Sequence, residues 1–131
     1  MERLKTLKAG KDRYPYKMDL LVLEQLQGEW QDISEFEKEL KGLRYAKTPD
    51  GTQKYNSDGT PMMESVPYSI HALNTVITLM VNEGLDIDAD QKHKEFEPVE
   101  PKTLIRNLTQ PLDELHRIAV EEFNKCFEIK K

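Results

Sequence analysis

Asp86, Asp88, Asp90 and Glu97 are the residues whose types and spacing come nearest to a chemical motif. Alternate aspartates followed by an acid eleven residues after the first match the carboxylates of an EF-hand loop, where hard oxygen donors converge on a calcium ion. Four residues weigh against that reading. Gln91 stands where the loop needs a glycine for its sharp turn, His93 where a branched apolar residue pairs, and Pro98 and Pro101 interrupt the helix that should leave the loop. Residues 86–101 therefore read first as a solvated acidic loop, with calcium binding at 86–97 as the less favoured alternative.

Other reactive side chains are scattered. His71, His93 and His116 fall in three separate segments without cysteine partners, so neither a zinc site nor a catalytic triad is suggested. Ser34, Ser57, Ser65 and Ser69 sit at caps or turns, and no glycine-rich phosphate loop is present. Cys126 lies on the apolar side of the last amphipathic segment and reads as a small packed hydrophobe. As the single cysteine, it cannot form an intramolecular disulfide. The expectation is a protein that is not an enzyme, with no catalytic residues and no cofactor.

Composition narrows the class further. The chain has 131 residues, a formal net charge of -5 and 33% charged residues, a length suited to a single domain covering 1–131. No cluster of Lys and Arg interleaves with aromatics, so nucleic acid is not an expected partner. Met1 to Lys8 holds no apolar run that could act as a signal peptide, and no segment is apolar enough to span a bilayer, so a soluble cytoplasmic protein is expected.

The elements that must position any site follow from periodicity. Leu4–Lys8 and Arg13–Lys17 alternate around the turn residues Ala9 to Asp12 and predict an N-terminal β-hairpin, with Tyr14 and Tyr16 on one face. Leu21, Val22, Leu23 and Leu26 predict a helix over Asp19–Gln27, stopped by Gly28. Asp32 and Ser34 precede Glu35 and Glu37 at capping-box spacing, and Phe36, Leu40 and Leu43 give the apolar edge of a second helix ended by Gly42. Residues 44–64 carry two turn signals, Thr48-Pro49-Asp50-Gly51 and Asn56-Ser57-Asp58-Gly59, and predict a β-hairpin or small meander inserted in a helical body. No internal repeat is legible. A short helix over Lys102–Leu108 and a final helix over Leu112–Phe127, capped by Thr109-Gln110-Pro111, complete a mainly α (α+β) fold of four to five helices.

The most unusual stretch is Val66 to Asn82, 17 residues without Lys, Arg, Asp or Glu. On a helical wheel Ile70, Ala72, Leu73, Val76, Ile77, Leu79, Met80 and Val81 cover about 200°, twice an ordinary apolar stripe. Pro67 and Ser69 open this helix and Gly84 is read as its end. Part of so wide an arc could serve a second copy or a client, and the candidate contact residues are Leu73, Ile77, Met80, Phe123 and Phe127. The competing reading places all five in one core.

The order of these elements resembles a known family. Gly10-Lys11-Asp12-Arg13-Tyr14-Pro15-Tyr16-Lys17-Met18 running into a Leu-rich helix is similar to the opening of phage tail assembly chaperones. The uncharged middle helix with its acidic end Val81-Asn82-Glu83-Gly84-Leu85-Asp86, the short element Thr103 to Leu108 and the final amphipathic helix follow in the same order. Tyr45 to Met63 departs from the compact family pattern and looks like an insertion. The resemblance implies a non-enzymatic protein of a long-tailed phage or prophage, acting in the bacterial host cytoplasm. Such chaperones bind the tape-measure protein, help recruit tail-tube subunits, and are often also made with a frameshifted extension, with which Lys130-Lys131 are compatible. A homo-oligomer is a further possible state, and a cytoplasmic protein-binding regulator or inhibitor of phage or prophage origin is the alternative function.

Overall fold

The computed structural model describes residues 3–128. Lys130 and Lys131 lie outside the described residues. The chain order is β1 (Lys5–Ala9), β2 (Asp12–Tyr16), α1 (Leu20–Trp30), α2 (Ile33–Lys41), β3 (Leu43–Tyr45), β4 (Met63–Ser65), α3 (Ile70–Gln91), α4 (Pro101–Asn107) and α5 (Leu112–Lys125). Five helices and two antiparallel two-stranded sheets make an α+β fold, with the hairpin β1–β2 at the N-terminus.

Aspartates start the first two helices. Asp19 caps α1 by accepting from the amides of Leu21 and Val22, and Asp32 caps α2 by accepting from Ser34. Gly28 does not stop α1, which runs on to Trp30 and ends at Gln31 in the left-handed region. An interior glycine costs about 1 kcal/mol, and the packing of Trp30 offsets it. Its ring meets Phe36 edge-on at 4.9 Å, and its indole N–H donates to Glu39 at 3.0 Å. Gly42 does close α2, with a positive φ of 77°.

Helix α3 is the axis of the molecule. It lies against α1, α2, α4, α5 and β2, and its buried residues Leu73, Val76, Ile77, Met80 and Val81 join Phe36, Leu40, Leu104 and Phe123 in one core. The uncharged side of α3 is largely covered too. Thr78 is buried with its hydroxyl on the Asn74 carbonyl, and Asn82 grips the Val99 backbone through both side-chain atoms, accepting at 2.8 Å and donating at 3.3 Å. The wide apolar arc is therefore a core strut.

Gly84 does not end α3, which continues for seven further residues to Gln91. The residue serves a close approach instead. A methyl group there would lie 2.5 Å from the carbonyl of Pro15 and 2.6 Å from the Tyr16 Cα, so β2 packs its backbone directly on the helix. One turn earlier, the Met80 carbonyl accepts from the Lys17 amide at 3.0 Å. The expected loop at 86–101 consequently shrinks, since Asp86 to Gln91 are helical and irregular chain begins only after them. Thr109 and Gln110 likewise do other work than capping. The Lys8 carbonyl accepts from the Thr109 amide, the Gln110 side chain accepts from the Lys8 amide, and the Thr109 hydroxyl accepts from the Gly10 amide. The α4–α5 link thus ties down the N-terminal hairpin, and Pro111 opens α5 without a side-chain cap.

Residues 43–65 form a β arm that enters and leaves the body through the pair Leu43↔Ser65. An eight-residue repeat, missed in the sequence, governs it. Thr48 pairs with Thr52 as Asn56 pairs with Thr60, each closing a turn in which Gly51 or Gly59 adopts a positive φ. Asp50 accepts from the Thr52 amide as Asp58 accepts from the Thr60 amide. Ala46, Lys54 and Met62, eight residues apart, bond in a ring: Ala46 donates to Met62, Met62 to Lys54, and Lys54 to Ala46, at 2.8, 2.9 and 3.0 Å. The Gln53 side-chain amide donates to the same three carbonyls at 3.0, 2.6 and 3.3 Å, closing the arm with a polar plug.

Candidate partner-binding surface

Four of the five contact residues predicted from sequence are core. Leu73, Ile77, Met80 and Phe123 are at most 2% exposed and have no surface to offer, whereas Phe127 is 56% exposed. Burial of most of the arc follows from the five elements that surround α3, with Ile70 left exposed at its start and Leu79 half-buried. The carboxylates of the acidic segment do not converge either. Asp86, Asp88 and Asp90 stand on α3 and Glu97 on the chain beyond it, and Asp88 faces Lys92 at 3.1 Å and Lys94 at 3.9 Å. An EF-hand loop must leave its helix at the first aspartate, whereas α3 runs on through Asp86, Asp88 and Asp90 and ends at Gln91. Among the described residues no group of three or more His, Cys, Asp or Glu could hold a metal ion.

The histidines are also apart. His116 bonds the Leu40 carbonyl at 2.7 Å and stacks on Tyr68 at 3.6 Å, His71 lies 3.5 Å from Glu29, and His93 is exposed with a positive φ. His116 and His71 are engaged in local structure.

A surface groove of about 750 Å³ opens between the hairpin, the start of α1 and the end of α5. Leu4 and Lys5, at the entry to β1, form one wall, the strap Tyr16 to Leu20 the floor, and Glu122, Lys125 and Cys126 the other wall. Its position follows from the packing. With α3 holding β2 through Gly84, the chain must turn outward at Lys17 to reach the Asp19 cap, which leaves a furrow against α5. Leu20 lines this furrow and is 76% exposed, and the adjoining Leu21 is 58% exposed. Phe127 follows the lining residue Cys126. The sequence held a signal for this edge. Leu20, Leu21, Val22 and Leu23 are four consecutive apolar residues, and at 3.6 residues per turn one face cannot bury them all. Val22 and Leu26 take the inner face.

One carboxylate is shared by two lysines along the furrow. Glu122 accepts from Lys5 at 3.0 Å and from Lys125 at 2.9 Å. Burial pushes its carboxyl up, but the hydrogen bonds from the two lysines outweigh burial and hold it below the usual carboxylate range. Burial pushes the Tyr16 hydroxyl up, and the Glu122 charge adds to the effect, so it stays a neutral donor on the floor. The hydrogen bond to Asp19, burial and the charges of Asp19 and Asp86 together push Glu83 up to about 7, against an opposing pull from Lys17.

The arrangement suits binding: an apolar edge, paired charges at the rim, and a concavity in the usual range of about 300–1,000 Å³ for a ligand-sized contact. No helix among the described residues is long and apolar enough to cross a membrane. In comparison with known proteins, no family model matches the chain, and neither the curated proteins nor the solved structures yield a match.

Proposed function

We propose that the protein is a non-enzymatic, phage tail assembly chaperone-like protein that binds a tape-measure protein in the host cytoplasm and helps recruit tail-tube subunits. The observation that supports this reading is the groove at the hairpin-to-α1 junction, because its floor, Tyr16 to Leu20, continues directly from the segment Gly10–Met18 that carries the resemblance. A long helical client presents apolar side chains at each turn, and a furrow edged by Leu20 and Leu21 can receive one or two of them. A contact of this size is weak singly. Many copies spaced along one long client gain avidity, and each is still free to leave when tube subunits arrive.

The test is co-expression with a long helical tape-measure protein of the kind the resemblance implies as the client. The wild-type protein should keep that client soluble and co-purify with it. The double variant Leu20→Asp, Leu21→Asp should lose the client while its melting temperature stays within about 2 °C of wild type, since both side chains are exposed. Retention of the client by the double variant, or an insoluble client with the wild-type protein, would overturn the reading.

A further inference from the structure

Two walls of the furrow meet at one carboxylate. Glu122 Oε2 accepts from Lys5 Nζ of the hairpin at 3.0 Å and from Lys125 Nζ of α5 at 2.9 Å. The Glu122 side chain is mostly covered, whereas those of Lys5 and Lys125 are at least half exposed, so the carboxylate lies underneath and both ammonium groups face solvent. One negative charge cannot neutralise two positive ones, and each ammonium has three donors, of which Glu122 takes one. Because both nitrogens contact the same oxygen, they lie no more than about 6 Å apart, close enough for a second carboxylate to accept from both. The rest of the lining keeps this surplus. Arg3 and Lys17 stand against Asp19 and Glu128, and Asp19 Oδ1 is committed to the amides of Leu21 and Val22, where the α1 dipole offsets its charge. Among the described residues four basic and three acidic side chains line the furrow, which makes it net positive in a chain of net charge -5.

Resting on the reading of this furrow as a client site, we propose that its occupant is an acidic amphipathic helix, which seats an apolar side chain against the exposed Leu20 and Leu21 and lays a Glu or Asp carboxylate across Lys5 and Lys125. Charge complementarity selects the sign. The incoming carboxylate balances the cluster of Lys5, Glu122 and Lys125, whereas a basic helix brings a further cation to two that already share one anion. A neutral helix gains the apolar contact alone. The remainder of the surface is net negative and repels an acidic helix, so the positive edge also fixes where such a helix docks. Both lysines are solvated, so the gain is modest and is screened by salt.

The experiment is an amide NMR titration of the full chain with three synthetic helical peptides that share one leucine stripe and carry glutamate, glutamine or lysine at the flanking positions. At about 20 mM salt the glutamate peptide should bind about fivefold more tightly than the glutamine peptide, with shifts centred on Lys5, Leu20, Leu21 and Lys125, and the lysine peptide should bind more weakly than either. At about 0.5 M salt the advantage of glutamate should fall below about twofold. Lys5→Gln leaves Lys125 on Glu122 and should lower the low-salt advantage to about twofold. Equal affinity for the glutamate and glutamine peptides, with both shifting the furrow amides, would overturn the acidic helix and leave the client site standing. Absence of furrow shifts with all three peptides would overturn both. Concentration-dependent shifts of the same amides without peptide would make a second copy the occupant and also overturn the acidic helix.

Discussion

Replacing Gly84 by alanine should destabilise the protein, although helix propensity alone predicts the reverse. In a helix interior alanine is favoured over glycine by about 1 kcal/mol. At Gly28, which is helical and exposed with no described atom within 4 Å of an added methyl, that gain should appear nearly in full. At Gly84 the methyl would stand 2.5 Å from the Pro15 carbonyl carbon and oxygen and 2.6 Å from the Tyr16 Cα. Comfortable contact needs about 3.5 Å, so the hairpin must retreat by roughly 1 Å. Overpacking of this kind costs about 1–3 kcal/mol, and the strained Lys17-to-Met80 hydrogen bond adds about 1 kcal/mol more. After the propensity gain is subtracted, the net loss is about 1–3 kcal/mol. Urea denaturation followed by far-UV circular dichroism measures both variants. The expected result is a lower midpoint for Gly84→Ala and a higher one for Gly28→Ala, with unchanged slope. If the two midpoints move in the same direction, the close approach of β2 to α3 is refuted.

Three further outcomes are expected. Asn82→Ala should cost about 1–2 kcal/mol, because the Val99 amide and carbonyl both lose a partner; thermal melts give the loss, and faster proteolysis within 92–100 locates it. Gln53→Ala should leave the global melting temperature within about 1 °C of wild type while the amides of Ala46, Lys54 and Met62 exchange faster; a global loss would show that the arm and body unfold as one. Hydrogen bonds from the Thr48 and Thr52 side chains hold the Asp50 carboxyl below its ordinary value, and those from Thr60 do the same for Asp58. A depressed carboxylate stabilises the folded turn above the ordinary value near 3.8 and ceases to do so as pH falls below it, so the arm should open in acid before the helical core. Amide shift changes in 47–60 that coincide with those of Val76 would contradict this order.

The elements were legible because their causes are local. Asp19, Asp32, Ser69 and Gly42 cap helices in place, and the two Asp-Gly turns form where their residues stand. What escaped was set by contacts distant in sequence. A glycine that ends a helix and a glycine that admits another backbone look alike in one sequence, and only the presence of Pro15 and Tyr16 beside Gly84 separates them. Reading Gly84 as an end also made Asp86, Asp88 and Asp90 into a loop, where their spacing with Glu97 could suggest calcium. The eight-residue repeat escaped for another reason. Asp50-Gly51-Thr52 and Asp58-Gly59-Thr60 do repeat in the sequence, but Ala46, Lys54 and Met62 share a backbone role and no side-chain chemistry, so the rest of the repeat shows only in hydrogen bonds. For the surface, the width of the apolar arc on α3 drew attention to residues that five neighbours cover, while Leu20 and Leu21 stood open at the groove.

The meeting of both ends of the β arm at Leu43 and Ser65 bears on how such a chain can change over generations. The contact between Lys17 and Met80 encloses the arm in a loop of the chain, and the entropy of closing a loop grows only with the logarithm of its length. Removing Lys47 to Met62 would shorten that loop by about a quarter and change its closure cost by only about 0.3 kcal/mol. The helical body is nearly indifferent to what hangs between those two strands. Lineages can therefore lengthen, exchange or discard the arm at little cost to folding, and variation there can proceed independently of the groove.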